Sequence, residues 1–209
     1  MSWRSWSAGA FLAERNKGMK YYQELTVLPD AELSSHVILS KAYQQIHIGL
    51  ASQKGEDGYS HIGISFPEYR VSPCGLGCKV RLFAMDEEEL ERLDLKKLMN
   101  RLQDYVHITR IRPVPVKVKG YAVYSRFHQT KSVAQKTRRY AKRHGVSYES
   151  ARELFGEEEM AENIPYIRIT SLTNRHGFSL FIAREDRDQM HHEGFSAYGL
   201  SSTSTVPEF

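Results

Sequence analysis

Hydrophobic and polar positions between residues 20 and 52 follow two different periods. Residues 20–28 alternate along the chain and are rich in β-forming side chains, so they predict a strand that Pro29 ends. From residue 31 to about residue 52 the apolar positions recur at helical spacing, which predicts a helix with one buried face. The apolar residues of this face are Leu39, Tyr43, Ile46 and Leu50. His47 follows Ile46 and lies at the border of the face.

The same two periods continue to residue 118. The predicted elements are strands at 61–66 and 79–84, a helix at 86–102, and a strand over 105–118 that two prolines interrupt. Strand, helix, strand, strand, helix, strand is the order of a ferredoxin-like domain, which many RNA-binding modules share. The order predicts a fold, and by itself it implies no function.

The second half of the chain begins with a strongly basic segment. Ser132 followed three residues later by Gln135 is a capping-box pattern, and Gly145 stands where a helix C′ glycine belongs, so a helix is predicted between them. Ser147 is predicted to cap a second, shorter helix. Three strands are then predicted at 166–171, 178–183 and 195–200, and the polar tail 201–209 is predicted to be loose.

These elements predict an α+β protein with two domains. An N-terminal ferredoxin-like (RRM-like) domain over residues 19–118 is followed by a smaller domain over residues 119–209, with an arginine-rich helix and a short antiparallel sheet. Residues 1–18 contain both tryptophans and are rich in serine and alanine. They are expected to form an extension outside the fold, with translation starting at Met19.

The basic helix predicts a nucleic-acid surface. At 100° per residue, one broad face collects Lys136, Arg138, Arg139, Lys142 and Arg143. No aspartate or glutamate occurs from Ala122 through Ser147, although a face made only for solubility would mix both signs. Five like charges repel one another, and a polyanion relieves that repulsion. A nucleic-acid partner is therefore favoured over a merely solvated face.

Composition narrows the remaining choices. The net charge is only +4 over 209 residues, so the basicity is local to the segment around residues 126–144. Cys74 and Cys78 have no second Cys/His pair with ligand spacing nearby, so no metal site is predicted. Two cysteines form no disulfide framework, which fits a cytoplasmic location. No apolar run approaches the roughly 18 residues of a membrane span, and no membrane partner is expected.

Several segments occur in this chain in the order found in one known family. They are Ile62-Gly-Ile-Ser-Phe-Pro67, Ser125-Arg126, the basic helix ending in Arg143-His144, Phe178-Ser-Leu-Phe-Ile182 and Gly194-Phe-Ser-Ala-Tyr-Gly-Leu-Ser201. Through them the chain resembles the type I-F CRISPR repeat endoribonucleases, which cut precursor guide RNA inside each repeat hairpin. The resemblance runs from Met19 nearly to the end of the chain.

The resemblance implies a role for individual residues. The catalytic histidine, serine and tyrosine of the family match His47, Ser171 and Tyr198. Phe178 matches the aromatic residue on which the base of the hairpin stacks. A linker arginine and glutamine that read bases match Arg126 and Gln129, but one additional residue in the linker leaves His128 as the alternative to Gln129. The helix residues expected to contact RNA are Lys136, Arg138, Arg139, Lys142, Arg143 and His144.

Cleavage of RNA needs no metal, because the 2′-hydroxyl beside the scissile phosphate is a built-in nucleophile. A histidine can exchange protons with it near neutral pH, since the unperturbed pKa of the imidazole is about 6.5. Ser171 is expected to hold the ribose, and Tyr198 to orient His47 or to bond the phosphate. The expected products carry a 2′,3′-cyclic phosphate and a 5′-hydroxyl, and no cofactor is expected.

Three functions are compatible with the sequence. The first is a metal-independent endoribonuclease that keeps its cleaved CRISPR repeat hairpin and joins the other subunits of a type I-F guide complex. The second is a non-catalytic subunit that holds an RNA hairpin in a ribonucleoprotein. The third is a DNA-binding regulator whose basic helix enters the major groove. A cleavage assay on hairpin RNA separates the first from the second, and duplex DNA of the same sequence tests the third.

Overall fold

The structure is a computed structural model that describes residues 18–55, 58–127, 133–154, 163–171 and 174–209. The chain forms two antiparallel sheets with helices, so the predicted α+β class is confirmed. Several predictions lie outside the described residues: the extension over residues 1–17, the cap at Ser132, and the base-reading roles of His128 and Gln129. The side chain of Lys136 is also outside them.

The first sheet is built from the N-terminal half. Its strands are β1 (Tyr21–Val27), β2 (Gly63–Ser65), β3 (Lys79–Ala84), β4 (Val106–Ile108) and β5 (Arg112–Pro113). The order is β2-β3-β1-β4, with β5 also paired to β1, and every pairing is antiparallel. The single strand predicted over 105–118 is wrong: it divides into β4 and β5 at residues 109–111, where the Thr109 hydroxyl accepts the N–H of Glu24, and it ends before Pro115, which has no N–H to donate to a ladder.

The helices of this half differ from the prediction at their ends. Helix α1 is Ser35–Ser52 and begins later than predicted, because the Asp30 carboxylate accepts the N–H groups of Glu32 and Leu33 in a turn. The helix predicted at 86–102 is broken into α2 (Glu87–Leu93), α3 (Leu95–Leu98) and a 3₁₀ turn (Asn100–Leu102). Asp94 interrupts it with a φ of 46°, and its carboxylate then caps α3.

The second sheet is built from the C-terminal half. Its strands are β6 (Gly120–Phe127), β7 (Tyr166–Thr170), β8 (Gly177–Arg187) and β9 (Val206–Glu208), in the antiparallel order β7-β8-β6-β9. The helices of this half are α4 (Val133–His144), the predicted basic helix, and α5 (Tyr148–Glu153). The Ser147 side chain caps α5, as predicted, by accepting the N–H of Ser150.

Two predictions for the C-terminal region are wrong. Residues 195–200 form a loop in place of a strand, and only an isolated bridge joins Phe195 to Ser60. The tail is not loose, because β9 pairs with β6. The Phe209 ring lies 5.0 Å from that of Tyr22, and the Arg81 guanidinium lies 4.2 Å from the Phe209 ring centroid. Side-chain packing therefore holds a segment whose composition is typical of a loose end.

Helix α1 connects the two sheets. Its buried apolar face lies in a core that both sheets share, and this face includes the predicted residues Leu39, Tyr43, Ile46 and Leu50. The same helix contacts β1 of the first sheet and β7 of the second. Among the described helices, none is long and apolar enough to cross a membrane. The position of α1 places side chains from one helix against both halves of the chain.

Candidate active site and RNA-binding surface

His47 is held at the inner side of α1 by a hydrogen bond to a distant segment. The side chain is only 6% exposed, and Nδ1 lies 2.9 Å from the carbonyl oxygen of Ala197. A carbonyl oxygen can only accept a hydrogen bond, so this contact requires the proton on Nδ1. In the neutral ring Nε2 then carries the free lone pair, and it is the nitrogen that can accept a proton from a substrate.

Tyr198 covers one face of the His47 ring. The two rings stack with centroids 4.2 Å apart and planes inclined by 12°. The hydroxyl of Tyr43, one helical turn before His47, donates a 2.6 Å hydrogen bond to the Tyr198 carbonyl oxygen. Burial, and then the proximity of Tyr198, raise the pKa of the Tyr43 phenol, so Tyr43 stays protonated and remains a donor. Through these hydrogen bonds, Tyr43 and His47 hold the backbone carbonyl groups of two consecutive residues, Tyr198 and Ala197, in place.

The segment carrying Tyr198 is also fixed from the opposite side. Its Gly199 carbonyl accepts the N–H of Ile64 in β2, and Phe195 exchanges two hydrogen bonds with Ser60. Gly63 meets the Phe195 ring so closely that an added Cβ would lie 2.5 Å from it. Gly199 has a φ of +68°, which allows the tight turn after Tyr198. Two of the five segments that carry the family resemblance, residues 62–67 and 194–201, are therefore packed against each other.

Ser171 follows the edge strand β7, which α1 also positions. On the edge of β7 that faces away from β8, the backbone N–H groups of Arg168 and Thr170 donate hydrogen bonds to Ser40 Oγ and Gln44 Oε1 of α1. The donor–acceptor distances are 3.3 Å and 2.6 Å. Four residues of helix rise about 6 Å, and two residues of strand rise about 6.6 Å, so the two spacings match. Ser171 thus directly follows a strand end, Thr170, that is hydrogen-bonded to Gln44, on the helical turn before His47. Between the described residues Ser171 and His47 there is no direct hydrogen bond.

Arg126 joins the catalytic candidates to the predicted RNA-stacking residue. This exposed β6 side chain places its guanidinium 5.4 Å from the Phe178 ring centroid and 5.8 Å from that of Tyr198. Both distances are within the range of cation–π contact. Arg126, Phe178, Tyr198 and His47 therefore form a continuous set of neighbours. A guanidinium between two aromatic rings is suited to hold a base or a phosphate at this place.

The basic helix α4 presents its cations to solvent. Arg138, Arg139, Lys142 and Arg143 are all exposed, and none of them is within ion-pair distance of a described carboxylate. The helix packs on α5, with the side chain of Thr137 buried. His144 is exposed and stacks on Tyr140 at 4.2 Å, so it belongs to the helix surface.

Sequence reasoning missed the residues that position this site. Tyr43 was predicted only as a core residue, and neither Ser40 nor Gln44 was singled out. The spacing of Tyr43 and His47 on one helical face was the available signal. Their hydrogen-bond partners lie 155 and 150 residues away, which no local pattern can indicate. No group of His, Cys, Asp and Glu in the described ranges is arranged to hold a metal ion.

Known proteins similar to this chain fall into two groups. A solved structure described as "An RAMP protein binding different RNA substrates" covers 90% of this chain and 99% of its own, at 10% identity and a TM-score of 0.34. A second, described as "Characterization of a Cas6-related gene from Pyrococcus furiosus", has the same identity and TM-score and covers 90% of this chain and 98% of its own. Similarity at this level does not establish a shared fold.

The sequence relatives are much more similar. Two proteins named CRISPR-associated endonuclease Cas6/Csy4 align over 193 residues, which is 91% of this chain and 100% of each relative. The protein from Escherichia coli (strain UTI89 / UPEC) is 33% identical, and the protein from Pseudomonas aeruginosa (strain UCBPP-PA14) is 28% identical. The model of the family CRISPR-associated protein (Cas_Csy4) matches residues 22–209. The chain therefore belongs to the Csy4 family of CRISPR-associated proteins and is an endoribonuclease.

Proposed function

We propose that this protein cuts precursor CRISPR RNA at the repeat hairpin without a metal ion and stays bound to the cleaved hairpin. The observation that carries the proposal is the environment of His47. A buried imidazole has its Nδ1 proton committed to a carbonyl oxygen and its ring stacked on Tyr198. The two contacts hold the ring in one orientation and leave Nε2 as the nitrogen that can exchange a proton, which is what a proton-transfer group requires.

In the proposed reaction the 2′-hydroxyl of the nucleotide before the scissile bond is the nucleophile. His47 Nε2 accepts its proton as the 2′-oxygen attacks phosphorus, the bond from phosphorus to the 5′-oxygen breaks, and the leaving oxygen takes a proton from water. Ser171 holds the ribose, and Tyr198 keeps the imidazole in place. The products are a 2′,3′-cyclic phosphate and a 5′-hydroxyl.

Binding is assigned to different residues. The base of the hairpin stacks on Phe178 beside Arg126, with Gln129 or His128 reading a neighbouring base. The exposed cations of α4, together with Lys136 and His144, contact the stem. The deep major groove of A-form RNA is too narrow for most side chains, so α4 is proposed to enter near an end of the stem, where the groove opens. Slow release of the product would let the protein join the other subunits of a type I-F guide complex.

The proposal also divides the chain into two domains. Residues 19–118 are taken as a ferredoxin-like domain, which the strand order β2-β3-β1-β4 supports, because that order places the first and third strands at the centre. Residues 119–209 are taken as the hairpin-binding domain. The shared core and the contacts of α1 with β7 then bring catalytic residues of the two domains together.

The test is single-turnover cleavage of a CRISPR repeat hairpin, with product analysis. Cleavage in the presence of EDTA, with a 2′,3′-cyclic phosphate on the upstream product, is the expected result. A substrate with 2′-deoxyribose at the attacked nucleotide should bind and remain intact. Tight binding without any cleavage would favour the non-catalytic subunit, and preference for duplex DNA of the same sequence would favour a DNA-binding regulator. Cleavage of the deoxy substrate would exclude 2′-hydroxyl attack.

A further inference from the structure

A groove of about 1120 Å³ lies on the face of α1 that is turned away from the core. Helices α2 and α3 and the 3₁₀ turn form one wall, and the edge of β7 forms the other. We call it the α1 groove. His47 does not line it, and none of the roles proposed above uses it.

The lining of the α1 groove is strongly cationic. Two carboxylates, Glu91 and Asp94, are opposed by five exposed cations, and these are Lys41, Arg92, Lys97, Arg101 and Arg168. The whole chain has 29 lysines and arginines against 25 acidic residues, so the excess in the groove is a local one. None of the five cations forms an ion pair with a described carboxylate. The Asp94 carboxylate is already engaged in capping α3.

The groove ends next to the candidate active site. Its β7 wall ends at Thr170, the residue before Ser171. From there it follows α1 from Gln44, whose side chain accepts the N–H of Thr170, back to His36, a helical rise of about 12 Å. The Tyr166 ring is 41% exposed and lies 5.3 Å from His36, a lining residue of the groove. A cationic channel that passes an exposed aromatic ring is the usual arrangement for single-stranded nucleic acid.

We propose that the α1 groove binds the single-stranded RNA that continues 3′ of the cleavage site, before that strand is released. The inference rests on the proposed function, because it takes the scissile phosphate to lie between His47 and Ser171. The nucleotide on the 5′ side of this phosphate belongs to the hairpin, so the single strand that leaves the site beside Thr170 is the one on the 3′ side. Cations on both walls contact its phosphates, and a base stacks on Tyr166. At about 3.4 Å per nucleotide the groove holds at most about four nucleotides, and fewer when the strand is extended.

The charge of the groove favours RNA over a protein segment. The centre of a protein–protein interface is usually depleted of charged residues, whereas contacts to phosphates require cations. A protein segment in this groove would have to remove water from five cations that pair with no described carboxylate, and only a strongly acidic segment could replace that water with carboxylates. Every RNA strand carries the phosphates that pair with these cations.

The experiment measures equilibrium binding of non-cleavable hairpins that carry 2′-deoxyribose at the attacked nucleotide. One hairpin ends at the cleavage site, one has four further nucleotides on the 3′ side, and one has four on the 5′ side. The 3′ extension is expected to lower Kd by about 10-fold or more. It should also steepen the dependence of log K on log salt by roughly 0.7 for each phosphate contacted. The 5′ extension is expected to add less than 2-fold.

Charge-reversal variants test whether the gain in affinity from the 3′ extension arises in the α1 groove. Lys97→Glu with Arg101→Glu on one wall, or Lys41→Glu on α1 with Arg168→Glu on β7, should abolish the gain from the 3′ extension and leave Kd for the unextended hairpin unchanged. Lys96→Glu is the matched control, because Lys96 is the exposed neighbour of Lys97 on α3 and does not line the groove. This variant should retain the full gain.

Several outcomes would overturn the inference. No gain from the 3′ extension, a gain confined to the 5′ extension, or a gain that survives both pairs of reversals would each do so. So would reversals that change association with protein subunits of the guide complex but leave all three Kd values unchanged. Failure of the unextended hairpin to bind, or of the 2′-hydroxyl form of the 3′-extended hairpin to be cut, would instead contradict the proposed function.

Discussion

The turn of α1 that carries His47 and the outer face of α4 differ in burial and in the pairing of their polar groups. Around His47 most side chains are buried, and His47 Nδ1 and the Tyr43 hydroxyl each have a hydrogen-bond partner far away in the sequence. On α4, Arg139 and Arg143 are exposed and are not paired with a described carboxylate. Proton transfer, the role proposed for His47, needs one orientation of one ring, and packing and hydrogen bonding in the core supply that orientation. Attraction to a polyanion needs only charge density at a surface.

The two arrangements also differ in what they contribute to stability. Buried hydrogen bonds such as the one from Tyr43 to the Tyr198 carbonyl hold the fold and the site together, because leaving such a group unpaired costs about 1–3 kcal/mol. Cations of one sign on an exposed face repel one another, and they add nothing to folding until an anion arrives. The region around His47 is therefore expected to have its final structure before RNA binds. Helix α4 is expected to gain stabilising contacts only when RNA is bound.

The largest expected effect comes from removing the imidazole. His47→Ala should lower the rate of hairpin cleavage by about 10²–10⁴-fold, the usual contribution of a general acid or base. Affinity for the deoxy hairpin should stay within about 2-fold, because the cations of α4 remain. Single-turnover kinetics and equilibrium binding measure the two effects separately.

His107→Ala is the matched control for His47→Ala, since His107 is an exposed imidazole on β4 of the first sheet. It should cut at the normal rate. Full activity in His47→Ala would remove this residue from the mechanism, and an equal loss of binding and cleavage would mean that α1 and α4 are not functionally distinct.

The second effect concerns the binding helix. Arg139→Ala combined with Arg143→Ala should weaken hairpin binding by at least about 100-fold, because hydrogen bonds to charged groups contribute about 1.5–3 kcal/mol each. The slope of log K against log salt should flatten by about 1.4–1.8 units if each arginine contacts one phosphate. The melting temperature should stay unchanged.

A control for charge alone is Arg110→Ala combined with Arg112→Ala, which removes two exposed arginines from the region of β4 and β5. This double variant should bind with nearly the original affinity and salt slope. If both double variants weaken binding alike, general net charge rather than the α4 face attracts the RNA.

The smallest of the three effects tests positioning. Tyr43→Phe removes the hydroxyl that donates to the Tyr198 carbonyl and leaves the ring in the core. The free energy of unfolding should fall by about 1–3 kcal/mol, and the cleavage rate at saturating protein by roughly 10-fold, with the hairpin Kd unchanged. Tyr148→Phe, on the exposed side of α5, should change none of these quantities. A normal cleavage rate in Tyr43→Phe would show that the Tyr198 segment needs no such support.

The sequence predicted the regions that local periodicity controls. The strands around Leu25 and Val80 and the buried face of α1 follow directly from alternation and helical spacing. The cationic face of α4 was predictable too, because one helix carries all of it. The stacking of His47 on Tyr198 was not, since the two rings come from segments that meet only through tertiary packing.

Errors occurred where one residue or a distant partner overrides a local pattern. Asp94 breaks a helix that the leucine spacing would continue. Strand β6 was not predicted, although it is a central strand of its sheet, and its partner β9 lies in a tail that reads as loose. The Tyr198 segment has an alternating pattern, yet Gly199 and the contacts to β2 fold it into a loop. In each of these places, packing between the two halves of the chain decides the structure.

The most direct test of the account is a double-mutant cycle between α1 and α4, with cleavage rates measured at saturating protein. His47→Ala should slow cleavage by the same factor in the original chain and in the Arg139→Ala, Arg143→Ala background, to within about 2-fold. Independent sites give additive free energies, whereas coupled sites deviate by about 0.5–3 kcal/mol. Matching factors are the predicted result. A His47→Ala factor that shrinks by about 10-fold or more in the arginine background would show that α4 takes part in the chemical step, and would contradict the separation of catalysis from binding.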